Sequence, residues 1–114
     1  MKRKIVQTRN FTKVVEALLT RNKLLEDDYE SLIKKLASNP NLGDLIPGTG
    51  GIRKTRLKSA TKGTSGGFRV CYFDNPKTEE LFLILIYQKN VQENISSEEK
   101  KALKEITTII KAQK

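Results

Sequence analysis

Leu81-Phe82-Leu83-Ile84-Leu85-Ile86-Tyr87 is the longest strongly apolar run in the chain, and it is apolar at odd and even positions alike. A strand with one wet face alternates. This run does not, which suits a strand in the middle of a sheet covered by helices. Its length is far short of the roughly 20 residues that cross a bilayer. Downstream, Ser96-Ser97-Glu98-Glu99 has the spacing of a capping box, and Ala102, Leu103, Ile106, Ile109 and Ile110 form the apolar stripe of a terminal helix. Upstream, Asn75-Pro76-Lys77-Thr78 makes a turn, and Phe68 to Asp74 is a strand with Arg69, Cys71 and Phe73 on one face.

Further upstream, Lys62 to Gly67 is glycine-rich and predicts a turn. Before it the period is two: Ile52, Lys54, Arg56 and Lys58 share one strand face, with Arg53, Thr55 and Leu57 on the other. Charge on both sides argues against a central position. Asn41 to Gly51, broken by Pro47 and several glycines, predicts a loop. In the first third, Lys4 to Thr8 predicts a short strand. Phe11, Val14, Val15, Leu18 and Leu19 then lie on one stripe of a helix that Asn10 could cap. Leu25, Tyr29, Leu32, Ile33 and Leu36 make a second stripe, with Glu26, Asp27 and Asp28 at the end where the helix dipole favours negative charge. Asn39-Pro40 ends it. The order β-α-α-β-β-β-α predicts an α+β fold: a twisted antiparallel sheet packed by an N-terminal helix pair and a C-terminal helix.

With 114 residues, 37% of them apolar, residues 1–114 are expected to form a single domain. Lys2-Arg3-Lys4 at the amino end is followed by no apolar signal region, so a soluble, cytoplasmic protein is expected. One cysteine cannot make an internal disulfide, and no histidine is present. That removes Ser/His/Asp triads, Cys/His pairs and His-Glu zinc hydrolases together; no metal or cofactor is expected. Chemistry must come from Lys, Arg, Tyr, carboxylates or backbone.

The formal charge is +9, and it is uneven. Residues 48–75 carry Arg53, Lys54, Arg56, Lys58, Lys62 and Arg69 against Asp74 alone. Such a field attracts a polyanion, of which nucleic acid is the commonest. Gly48-Thr-Gly-Gly-Ile-Arg-Lys54-Thr55 nearly spells a phosphate-binding P-loop. It carries Arg53 where that loop needs glycine, however, and it leads into a β-like stretch rather than a helix. The basic residues are the better candidates. Lys54 and Arg56 share a face, Arg69 follows on the next strand, and Tyr87 and Lys89 close the core strand, so a meander can gather them. Arg and Lys grip phosphate by fork and by point charge, and a tyrosine can orient a ribose or stack on a base. Scattered surface charge with a tyrosine at the rim of the core is the competing explanation.

Three stretches, Asn39-Pro40-Asn41-Leu42-Gly43-Asp44 before the glycine loop, Gly66-Gly67-Phe68-Arg69-Val70-Cys71-Tyr72, and Leu85-Ile86-Tyr87-Gln88-Lys89-Asn90, follow one another as in a known family. The chain resembles the RelE/ParE toxins of bacterial type II toxin–antitoxin modules, most closely their HigB-like branch. The resemblance implies a metal-independent endoribonuclease that cleaves messenger RNA in the A site of the ribosomal 30S subunit, amid ribosomal RNA, and so inhibits translation. It also implies a HigA-like helix-turn-helix antitoxin as partner, with the toxin alone monomeric and the pair a hetero-oligomer. By the same resemblance the catalytic residues are Arg69, neutralising the scissile phosphate, Tyr87, orienting the substrate, Lys89, a further charge or proton donor, and Lys54, an acid or base. Arg53, Arg56, Lys58 and Lys62 bind RNA. Where RelE toxins place an arginine and a later tyrosine beyond the core strand, this sequence has Asn90 and Ser96. ParE relatives inhibit DNA gyrase instead, and a non-catalytic nucleic-acid-binding module also accounts for the charge; both are alternatives.

Overall fold

In the computed structural model, which describes residues 2–61, 63–89 and 95–113, the order is β1 (Lys4–Gln7), α1 (Arg9–Thr20), α2 (Glu26–Ser38), β2 (Asp44–Leu45), β3 (Arg53–Ser59), β4 (Gly63–Asn75), β5 (Glu80–Gln88) and α3 (Ser97–Ala112). The α+β class agrees with the sequence reading, and so does the order of elements apart from the added β2. The five strands form one sheet in the order β1-β5-β4-β3-β2. The apolar run is β5, an interior strand with neighbours on both sides. The sheet is mixed rather than wholly antiparallel, because β1 pairs with β5 in parallel. Hairpin turns dictate the direction of β3, β4 and β5, but β1 leads into a helix and no local signal sets its partner.

Local chemistry accounts for the element ends. Thr8, not Asn10, caps α1: it is extended, and its hydroxyl accepts from the Phe11 N–H. At α3 the expected capping box is present, with the Glu99 N–H donating to Ser96 Oγ and the Ser96 N–H to Glu99 Oε1. Within the stretch expected to be a glycine-rich turn, β4 already begins at Gly63. Inside the stretch read as a loop, β2 pairs Asp44 with Lys54 and Leu45 with Arg53.

Two cores lie on the two sides of the sheet. Phe11 and Val15 of α1 and Leu32 and Leu36 of α2 pack on Leu57, Phe68, Val70, Tyr72, Leu81, Leu83 and Ile86. Leu103 and Ile110 of α3 pack with Ile52, Cys71, Phe73, Ile84 and Ile95. The β4–β5 register shifts between Cys71 and Tyr72, with Tyr72 opposite Leu83 and Cys71 opposite Leu85. Ile84 is thus an extra residue in β5, and it joins Leu85 on the α3 side. Val14, Leu25 and Ile109, assigned above to apolar stripes, are exposed. Leu25 precedes α2 as its N-cap, so it lies outside the helix whose stripe it was expected to join.

Candidate functional site

The pairing decides which basic residues meet. Arg56 lies opposite Arg69, and Arg69 opposite Tyr87. These three side chains therefore make one row across β3, β4 and β5, on the face that α3 covers. One step along, Lys54, Cys71 and Leu85 form the next row. The β5 bulge makes this arrangement: without the extra residue at Ile84, Tyr87 would be on the helix-pair side. Lys89 follows, its N–H donating to the Gly67 carbonyl at 3.1 Å, so it continues the ladder one step beyond Phe68–Gln88. Lys58 is exposed where the β3 register shifts between Leu57 and Ser59. Lys62 and Asn90 lie outside the described residues, and Ser96 is the N-cap of α3.

Lys54, Arg56 and Arg69, with Lys35 of α2, line a hollow of about 610 Å³ whose carboxylate is Asp44. Neither Tyr87 nor Lys89 lines it. Among the described residues Lys54, Arg56 and Arg69 make no ion pair; the Arg69 guanidinium makes a long 3.4 Å bond to the Phe68 carbonyl. The Tyr87 hydroxyl is buried and has no hydrogen-bond partner among the described residues. Burial, then the nearby Cys71, push its phenol up, and Arg69 opposes them. It is thus a neutral donor at physiological pH. Cys71, one row away, is fully buried, and burial pushes its thiol up to about 12. It is not a nucleophile.

Arg53 is set apart from the other cations. It pairs with Tyr72, on the helix-pair side, and its guanidinium donates to the Gly43 carbonyl at 2.7 Å. Tyr72 takes the other side of the same residue: its hydroxyl accepts from the Gly43 N–H and donates to the Pro40 carbonyl, both at 2.8 Å. Only glycine fits at this close approach, since a Cβ there would stand 2.5 Å from the Lys54 carbonyl. Sequence reasoning placed Arg53 with the RNA-binding residues and gave Tyr72 no role. Its signal was present, since a tyrosine at a fully buried strand position needs a partner for its hydroxyl.

The glycine loop is likewise structural. It leads into β3, not a helix. Its Thr49 hydroxyl donates to the Ile46 carbonyl, while Thr107 and Lys111 of α3 donate to the Thr49 and Gly50 carbonyls. Gly50 has φ of 78°, and a Cβ there would stand 2.5 Å from the Thr107 hydroxyl, so glycine is required on two counts.

The family model for the RelE toxin of the RelE/RelB toxin–antitoxin system matches residues 3–114. The chain belongs to that family. Among solved structures, this RelE-family toxin is similar to toxin RelE of E. coli, determined as a mutant in the free state. The TM-score is 0.58 with 16% identity, over 82% of this chain and 90% of that one, a likeness of fold. Membership makes the protein a toxin of a toxin–antitoxin system, with an antitoxin as its partner. Among its described residues no helix is long and apolar enough to cross a membrane, and no cluster of metal-ligating side chains occurs.

Proposed function

We propose that this RelE-family toxin is a ribosome-dependent endoribonuclease that cleaves translated messenger RNA in the A site, with Arg69 and Tyr87 at the reacting phosphate. The observation that carries this reading is the row of Arg56, Arg69 and Tyr87 on one face, with Lys54 beside it. RNA brings its own nucleophile, the 2′-hydroxyl. The protein must hold that oxygen in line with the phosphorus, offset the charge that builds on the phosphoryl oxygens, and supply a proton to the leaving oxygen. Arg69, flanked by Arg56 and Tyr87, is placed to offset that charge with its fork of donors. Lys54 and Arg56 hold the neighbouring backbone. Tyr87, a protonated phenol with an unused hydroxyl, donates to a phosphoryl oxygen or to the leaving group once RNA reaches it. Lys58 and Lys89, each one residue beyond the Leu57–Phe68–Gln88 row, extend the positive surface, and the HigA-like character of the antitoxin remains part of this proposal.

The test maps 5′ ends of messenger RNA after induction in a translating extract. Breaks at codon-linked positions are expected, and Tyr87→Phe should slow them by about 10²-fold, in the range of a lost general acid or base. Inhibition of supercoiling by gyrase with intact messages would establish the ParE-like alternative. Salt-sensitive RNA binding without scission would leave only a binding module.

A further inference from the structure

The site is rich in proton donors and short of a proton acceptor. Charged Lys and Arg side chains only donate, and the Tyr87 phenol is protonated at physiological pH. Cleavage by the 2′-hydroxyl needs its proton removed. Asp44, the carboxylate of the large hollow, stands on β2 at the edge of the sheet, three strands from Tyr87. A nearer carboxylate comes from α3.

Two contacts fix where the first turn of α3 lies. Ile95, just before the N-cap, is buried in the cluster that holds Cys71 and is flanked by Tyr87. Ile95 and Lys100 also line a small hollow of about 160 Å³ with Lys54 and Pro47. The turn therefore reaches both the row of Tyr87 and the row of Lys54. Glu99 belongs to this turn and is half-buried. Burial is the main force raising the Tyr87 phenol and the Cys71 thiol; beyond it Glu99 pushes both upward, while Arg69 pulls the phenol down and Lys54 the thiol. One carboxylate and two cations thus converge on this part of the sheet.

The capping box sets the direction of Glu99. Its Oε1 accepts from the Ser96 N–H at 3.0 Å, which occupies one of roughly four acceptor sites on a carboxylate. Glutamine completes the same box, so capping by itself does not demand a charge.

We propose that Glu99 is the general base of the cleavage and accepts the proton of the 2′-hydroxyl. The role rests on the RNA-cleaving reading above. The freed 2′ oxygen bonds to phosphorus, the bond from phosphorus to the 5′ oxygen breaks with its electron pair, and that oxygen takes the Tyr87 proton. The products are a 2′,3′-cyclic phosphate and a 5′-hydroxyl. The proton on Glu99 then passes to the Tyr87 phenolate, which restores both groups.

The experiment compares Glu99→Gln, which keeps the box and removes the base, with the wild-type chain. Its urea midpoint should be unchanged. On ribosomes programmed with a defined messenger, kcat should fall by about 10²-fold or more, with no rise in KM because one negative charge fewer faces the RNA. Glu99→Ala, which lacks box and base alike, should be less stable yet cleave no more slowly than Glu99→Gln. In the RNA-free chain, NMR of ring-labelled tyrosine should show Tyr87 at least about twofold more acidic in Glu99→Gln, because the charge opposing its ionisation is gone. Cleavage by Glu99→Gln within about threefold of wild type, a loss carried by KM alone, or an unmoved Tyr87 titration would each overturn the assignment. A wild-type chain that leaves every message intact would sink the nuclease reading as a whole, whereas an active wild type beside an equally active Glu99→Gln would sink only the base.

Discussion

A single residue separates two rows of the same three strands. Leu57, Phe68 and Gln88 form one, Arg56, Arg69 and Tyr87 the other. Leu57 and Phe68 are 2% exposed beneath α1 and α2, whereas Arg56 is exposed on the other face. The difference comes from how much each helical layer covers. The helix pair closes its side from β1 across to β3. On the opposite side α3 packs over β4 and β5, leaving the β3 cations uncovered. Packing thus builds a core on each face but leaves the β3 end of the α3 side open.

If that division is right, changes on the two faces must differ in kind. Phe11→Ala removes a ring that is 1% exposed and should cost about 3–5 kcal/mol, seen as a lower urea midpoint, with toxicity lost through unfolding. Arg69→Ala should leave that midpoint nearly unchanged while cleavage falls by about 10²–10³-fold, the loss expected for one charge-stabilising donor. A destabilisation of Arg69→Ala comparable with that of Phe11→Ala would break the comparison.

Tyr72→Phe sharpens it, because Tyr72 lies on the core side and reaches a loop at the hollow's rim. Loss of its hydroxyl orphans the Gly43 N–H and the Pro40 carbonyl and should cost about 1–3 kcal/mol. Cleavage should fall too, and more than the same loss of stability causes when introduced at Phe11.

The smallest effect concerns pH. The Cys71 thiol is pushed up to about 12 in the folded chain, against roughly 8.5 when unfolded. Its contribution to stability is whole below the unfolded value and is lost as pH rises toward the folded one, because the unfolded chain releases the proton first. Cys71→Val should therefore flatten the alkaline limb of the stability profile. An unchanged limb would show that the thiol is not protected as its burial implies.

The strand-face grouping of most candidate residues was legible residue by residue. Period two placed Lys54 with Arg56 on one face and Arg69 with Cys71 on another strand, and the glycine loop was read as leading into a strand. Period two also put Arg53 on the opposite face, as its pairing with Tyr72 shows, but its anchoring to the Gly43 carbonyl depends on a loop distant in sequence. The β2 pairing was missed because two residues carry no periodicity. Tyr87 was placed at the strand end, but its face depends on the extra residue at Ile84, which a run of seven apolar side chains conceals.

By itself the sequence determined the three helices and every strand but β2, in their order, because helix stripes, caps and turn residues act over a few neighbours. Only the tertiary structure decided the parallel pairing of β1 and the shift in register that puts Tyr87 beside Arg69. Each is a choice among strand alignments with similar local preference, and it is settled by which alignment buries both apolar faces of β5 between two helical layers.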